Sequence, residues 1–226
     1  MKTFVISLGG SVINEFLQSP EKLKKYVEIL DSFAEKGFRF VIITGGGKVA
    51  REYIKLASNF TQNKNDLDKI GIEATRLNAR LLISSLKNCY PEPISTVNEL
   101  LKSFDQSYSF FIGCGNQPGC STDFNSVLFA EAIGCKVVIN ISDVSGIYDK
   151  DPKKFDDAKK IDKLSYDEFF ELIKSQKAEP GTYELFDLSA LRIAKRSKIK
   201  LIFIGSNPNE LEKVLKGEKV GSEVYG

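Results

Sequence analysis

Histidine is absent from the 226 residues of the chain. That absence excludes serine-histidine-aspartate and cysteine-histidine nucleophilic catalysis, HExxH metalloprotease chemistry and any mechanism built on an imidazole acid or base. Cysteine is scarce. Cys89, Cys114, Cys120 and Cys135 are too few and too scattered for a disulfide framework, so reduced thiols and a cytoplasmic location are expected. The spacing of Cys114 and Cys120 is not that of a zinc knuckle, and the four cysteines read as small packing or loop thiols with no metal site of their own. Neither sign of charge is in excess, with 32 Lys and Arg against 30 Asp and Glu. This balance speaks against a dedicated nucleic-acid or membrane-surface binder. Long apolar runs are missing too: none approaches the ~18 residues of a membrane-spanning helix, and the stretch before Gly9-Gly10 is too short for a signal peptide.

What is present is a length sufficient for one or two domains with a core that needs no staples. Short β-branched and aromatic runs recur at Thr3 to Leu8, Phe38 to Thr44, Tyr108 to Ile112, Lys136 to Ile141 and Lys200 to Ile204. Their continuous hydrophobicity is that of strands buried on both faces. Helical spacing lies between them. Over Gly47 to Phe60 it groups Val49, Tyr53, Leu56 and Phe60 on one side, and over Asp68 to Lys87 it groups Ile70, Ala74, Leu77 and Leu81. A third helix, Phe124 to Ile133, is expected to end on Gly134. Strand and helix in alternation predict an α/β fold with a mostly parallel central sheet and helices on both faces. The polar stretch Asp149 to Lys163 either divides the chain into two lobes or is a surface excursion of one domain.

Ligands of such sheets bind at the carboxyl ends of the strands, so a site is expected among the connections that follow them. The first reads Leu8-Gly9-Gly10-Ser11 and the second Thr44-Gly45-Gly46-Gly47-Lys48. Glycines between a buried strand and a helix let backbone amides and a helix N-terminus approach an anion. Neither is a Walker A loop or a GxGxxG fingerprint, and either one alone reads better as a tight turn, but two such loops on neighbouring strands are harder to explain as turns. Lys48 and Arg51 stand in the first turn of the following helix, where cations oppose the dipole unless an anion compensates; a solvated face is the plain alternative. The third connection runs from Gly113 to Asp123, dense in glycine, with Ser121 and Thr122 as N-terminal donors. The fourth runs from Ser142 to Pro152 and holds Tyr148 and Asp151.

In this order, LGGS, TGGGKVAREY, GNQPGCSTD and ISDVSGIYDKDP, the motifs resemble the amino-acid kinase superfamily, and within it the archaeal type of UMP kinase. The resemblance implies a three-layer αβα sandwich, spanning 1–226 as a single domain. Residues up to about 135 would serve the acceptor nucleotide and those from about 136 would serve ATP. It implies ATP-dependent phosphorylation of UMP to UDP with Mg²⁺ bound alongside ATP. Catalytic roles would fall to Ser11, Arg51 and Asp123. ATP would meet Gly10, Ser11, Gly47, Arg51, Ser142, Tyr148 and Asp151. UMP would meet Gly46, Asp68 and the loop Asn116, Gln117, Pro118, Gly119, Cys120, Ser121 and Thr122. It further implies a homo-oligomer, a hexamer built as a trimer of dimers.

Phosphoryl transfer through a loose transition state needs alignment and charge neutralisation more than a strong base, which suits a chain without histidine. The pattern departs from its relatives in three places. Ser7 stands where many superfamily members carry lysine. Asn116-Gln117 and Cys120 stand where threonine and histidine are expected, and Asp187-Leu188-Ser189 replaces Asp-Pro-Leu. These departures keep open a second reading, a nucleotide- or oxyanion-holding protein on the same fold, akin to the molybdenum storage proteins of the superfamily.

Overall fold

A computed structural model describes residues 2–177 and 185–226. In chain order the elements are β1 (Thr3–Leu8), α1 (Gly10–Gln18), α2 (Pro20–Ala34), β2 (Arg39–Thr44), α3 (Gly47–Ala57), α4 (Lys64–Ser85), α5 (Val97–Phe104), β3 (Phe110–Gly113) and α6 (Thr122–Ala132). They continue as β4 (Val137–Ile141), β5 (Ile147–Tyr148), β6 (Lys160–Ile161), β7 (Lys163–Leu164), α7 (Tyr166–Lys177), α8 (Leu188–Ser197), β8 (Lys200–Ile204), α9 (Pro208–Lys216) and β9 (Ser222–Val224). The resemblance to the amino-acid kinase superfamily also takes in the segment from Pro180-Gly181 to Ala190, of which the residues up to 184 lie outside those described.

Seven strands form one sheet in the order β3-β2-β1-β4-β8-β9-β7. The five long ones are parallel, and β9 runs antiparallel to β8. The 149–163 stretch leaves from β5 and returns through β6, which pair antiparallel, while β4 and β8 on either side of it pair directly in the main sheet. The strands are buried on both faces because both are covered. Phe4, Ile6, Leu8, Phe40 and Ile42 point to one side, where α1, α2 and α9 pack with Phe16, Tyr26 and Leu211. Val5, Val41, Ile43 and Phe111 point to the other, against α6 and α8 with Phe129, Ala190 and Leu191. Each fully buried aromatic or branched side chain contributes about 1.5–3 kcal/mol, and cutting Phe40 back to alanine would cost about 3–5 kcal/mol.

Helix ends follow side-chain chemistry. Thr96 and Glu99 close a capping box on α5, and Ser121, Asp187 and Asn207 cap α6, α8 and α9. Gly134 ends the α6 segment at φ +68, the left-handed conformation that glycine adopts without strain.

Two helix faces differ from the expectation. Tyr53, Leu56 and Phe60 are exposed, at 64%, 63% and 85%, and so is Leu77 at 63%. Helix α3 packs mainly on α4 rather than on the sheet, with Ala50 as its buried residue, so the exposed part of its apolar stripe has no partner among the described residues. On α4 the buried face is Leu67, Ala74, Thr75, Asn78, Ala79 and Leu82. The polar members Thr75 and Asn78 displaced the face that an apolar count assigns.

Candidate active site

The connections after β1, β2, β3 and β4 meet along the carboxyl edge of the sheet. Gly9 donates its N–H to Ile141 O at 2.8 Å, and Gly45 donates to Leu8 O at 2.9 Å, so three connections are tied by backbone bonds. Gly10 opens α1 directly against the second glycine loop. A Cβ at Gly10 would lie 2.0 Å from Gly47 N and 2.4 Å from Gly47 Cα, and a Cβ at Gly45 would lie 2.5 Å from Gly10 N. Only glycine permits that approach. Gly47 itself has φ +65. The N-termini of α1 and α3 therefore converge on one spot, each with unsatisfied first-turn amides and the positive end of its dipole. Ser11 sits half-exposed in the first turn of α1, and Arg51 lies exposed in the second turn of α3. Lys48 points to solvent, paired with Glu52 at 3.5 Å, while its N–H donates to Asn14 Oδ1 at 3.0 Å.

On one side of this spot lies a cleft of about 400 Å³. Gly46, Asp68, Gln117, Gly119, Cys120, Ser121 and Thr122 line it, as the sequence reading groups them. Asn116 and Pro118 belong to the same loop but do not border the cleft. Asp68 Oδ2 accepts the Gly119 N–H at 2.9 Å, which fixes both the carboxylate and the loop. Gln117 Nε2 reaches Cys120 Sγ at 3.5 Å. Ser121 caps α6 and donates to Asp187 Oδ2 at 2.6 Å, and the other Asp187 oxygen caps α8, so one carboxylate joins two helix N-termini.

On the other side is the connection after β4. Ser142 donates its N–H to Ile204 O at 3.1 Å, and its Oγ closes a turn with Val144. Tyr148 lies in β5, held opposite Lys160, and Asp151 Oδ1 accepts the Lys153 N–H at 3.0 Å. Asp143 and Ser145 from this connection border a polar cleft of about 550 Å³, closed by Ser206, Glu210, Lys22 and Lys25.

Asp123, in the first turn of α6, stands between the two sides. Its Oδ1 accepts hydrogen bonds from Ser7 Oγ at 2.9 Å and Asn140 Nδ2 at 2.8 Å. Ser7 and Asn140 are register partners on the adjacent strands β1 and β4, and Ser7 is buried at 2% exposure. The position where many superfamily members place a lysine thus holds a neutral donor to the carboxylate.

Several residues of the site escape a loop-by-loop reading. Thr75, Asn78, Asn140 and Asp187 sit on helices and strands or at their ends. The detectable signal was a polar side chain inside an apolar stripe: Thr75 and Asn78 are each 6% exposed. Away from the cleft, burial pushes the Cys114 and Cys135 thiols up and Cys89 up to about 12. Among the described residues no group of three or more histidine, cysteine or acidic side chains is placed to hold a metal ion, and no helix is long and apolar enough to cross a membrane.

A model described as the Amino acid kinase family matches residues 2–205. The chain is 39% identical to the uridylate kinase of Hyperthermus butylicus over 98% of its own length and 97% of the relative's. It is 42% identical to that of Staphylothermus marinus, over 99% and 98%. The crystal structure of uridylate kinase from Archaeoglobus fulgidus superimposes with a TM-score of 0.87 at 37% identity, covering 99% of this chain and 100% of that one.

Proposed function

The chain belongs to the amino acid kinase family, and from that premise we propose that it is an ATP-dependent UMP kinase, making UDP and ADP for pyrimidine nucleotide synthesis. The observation that carries this reading is the contact of Gly10 with Gly45 and Gly47, which presses the first two glycine loops together beside the Asp68 cleft. A phosphoryl group leaving one nucleotide and arriving at another needs one anion site shared by both.

The Asp68 cleft is the acceptor side, with Gly46 toward the phosphate of UMP, Asp68 toward its ribose and the 116–122 loop around it. The β4 connection is the ATP side, with Ser142, Tyr148 and Asp151 toward adenosine and Gly10, Ser11, Gly47 and Arg51 toward the phosphates. The acceptor oxygen belongs to an already ionised phosphate, so no group has to remove a proton, and alignment carries the reaction. Each backbone amide aimed at the transferring group contributes about 2.7–4 kcal/mol by analogy with oxyanion donors. A magnesium ion bound with ATP suits this donor set, because such ions use one or two carboxylates plus substrate phosphates. Asp123, in the first turn of α6, is the carboxylate that would hold it. When bound, the ion neutralises charge on the phosphates.

The exposed stripe Tyr53, Leu56, Phe60 and Leu77 supports self-association through α3 and α4, as in a hexamer assembled from dimers. A cytoplasmic enzyme of one domain, 1–226, accords with this reading. The buried Ser7 in the lysine position favours the competing one, a holder of nucleotide or oxyanion with weak or no transfer. A coupled assay with ATP and Mg²⁺ against UMP, CMP and AMP separates them. UMP-dependent ADP release is expected, whereas nucleotide binding by calorimetry without that release would favour the storage reading.

A further inference from the structure

The acceptor cleft is bordered by the glycine loop after β2 and the loop after β3, and both are tied to one helix. Along α4, Asp68 accepts the Gly119 N–H, and Thr75 Oγ1 accepts the Gly115 N–H at 2.7 Å while donating to Ile72 O. Asn78 Nδ2 donates to Gly45 O at 2.7 Å and lies 3.4 Å from Gly46 O. Thr44 closes the set from the strand side, its Oγ1 donating to Thr75 O at 2.9 Å. Thr75 and Asn78 lie one helical turn apart and are both buried.

A buried amide has to satisfy its donors, and here it does so on the carbonyls of the glycine loop. In a trans peptide the C=O and the following N–H point in opposite directions. With Gly45 O pinned toward Asn78, the Gly46 N–H is turned away from the buried amide. Gly46 O also accepts the Ala50 N–H at 3.3 Å, so α3 itself orients the following peptide unit. At the Gly45–Gly46 unit, two successive glycines otherwise leave the peptide free to rotate. Resting on the reading of this site as the UMP acceptor side, we propose that Asn78 is a positioning residue that aims the Gly46 amide at the acceptor phosphate, while Thr75 holds the facing loop through the Gly115 N–H.

The test uses purified full-length wild type, Asn78→Asp and Thr75→Val, with kcat and the KM for UMP and for ATP measured separately beside thermal melting. Asp at 78 is isosteric but, ionised, it cannot donate and faces the Gly45 carbonyl with a lone pair. The expected result is a rise in the KM for UMP of about tenfold or more, with the KM for ATP within about twofold of wild type. The deficit should shrink as pH falls and the introduced carboxyl regains a proton to donate. Thr75→Val, which frees the Gly115 amide while keeping the side-chain shape, should raise the KM for UMP in the same selective way. If the first variant does not fold, Asn78→Ala, which removes the donor to Gly45 O, carries the test with the same selective rise expected. A purely structural role would lower the active fraction and kcat with both KM values unchanged, and that result overturns the inference alone. Wild-type protein without UMP turnover overturns the inference together with the functional reading beneath it.

Discussion

Replacing Asp123 by asparagine separates charge from geometry. Ser7 Oγ and Asn140 Nδ2 both donate to Asp123 Oδ1, at 2.9 and 2.8 Å, from paired positions on β1 and β4. An amide oxygen accepts both bonds, so the substitution removes one negative charge and keeps the shape. The sign of the effect is informative. A carboxylate facing only phosphate oxygens would repel them, and its removal would speed transfer; one that holds a cation against them slows transfer when lost. At a separation of about 4 Å and an effective dielectric near 20, a unit pair is worth about 4 kcal/mol. Incomplete desolvation reduces this, and a loss of about 3 kcal/mol in the transition state corresponds to about 10²-fold in kcat. Weaker hydrogen bonds to a neutral acceptor cost about 1 kcal/mol of stability, a fall in Tm of about 2–4 °C. The assay is steady-state ADP release at saturating UMP, with Tm by scanning calorimetry. A kcat within about threefold of wild type, or any increase, refutes the assignment of Asp123 to cation holding.

Three further outcomes are expected. Gly10→Ala places a methyl 2.0 Å from Gly47 N, so the two glycine loops must part; kinetics should show a loss of about 10²-fold or more, and unaltered activity would remove that contact from the account. Alkylation with iodoacetamide near pH 8, followed by peptide mass mapping, should label Cys120 ahead of Cys89, Cys114 and Cys135. Cys120 lines the acceptor cleft while burial holds the other three thiols protonated, and UMP should slow the labelling. Glu131, held below the usual carboxylate range by hydrogen bonds from Arg196 and Ser197, adds stability that is present above its unfolded pKa and lost as pH falls through its lower folded value. Glu131→Gln should cost about 0.5–1 kcal/mol at pH 7, with the deficit closing below about pH 4 in thermal melts; a deficit independent of pH contradicts the pairing.

The parallel sheet was legible because its strands are buried on both faces and carry their signal in composition alone. Thr3–Leu8 and Lys200–Ile204 coincide with the reading, and the other long strands differ by one or two residues at their ends. The fold class follows from those strands and the helices between them. The faces of α3 and α4 did not follow. Apolar periodicity reports that a helix has an apolar side, not what covers it. On α3 the stripe Tyr53, Leu56 and Phe60 faces outward, and on α4 the inward side is partly Thr75 and Asn78.

The glycine loops were legible only in combination, since each alone reads as a tight turn and two of them after adjacent strands do not. Their supports were not. Asn140 looks like an ordinary strand residue, and only the pairing of β1 with β4 sets it beside Ser7 and Asp123. Asp187 reads as a helix cap until Ser121 is found 66 residues away in sequence, donating to its second oxygen. Such contacts join distant parts of the chain, and no local pattern encodes them.

The central claim is transfer of a phosphoryl group from ATP to the phosphate of UMP. Phosphorus-31 NMR of the full-length protein with Mg²⁺, ATP and UMP tests it most directly, because both products carry their own resonances. The account predicts that the UMP signal is replaced by the two coupled resonances of UDP while ATP is converted to ADP in equal amount. ATP lost to free inorganic phosphate with UMP unchanged, or both nucleotides bound and unaltered, would contradict it.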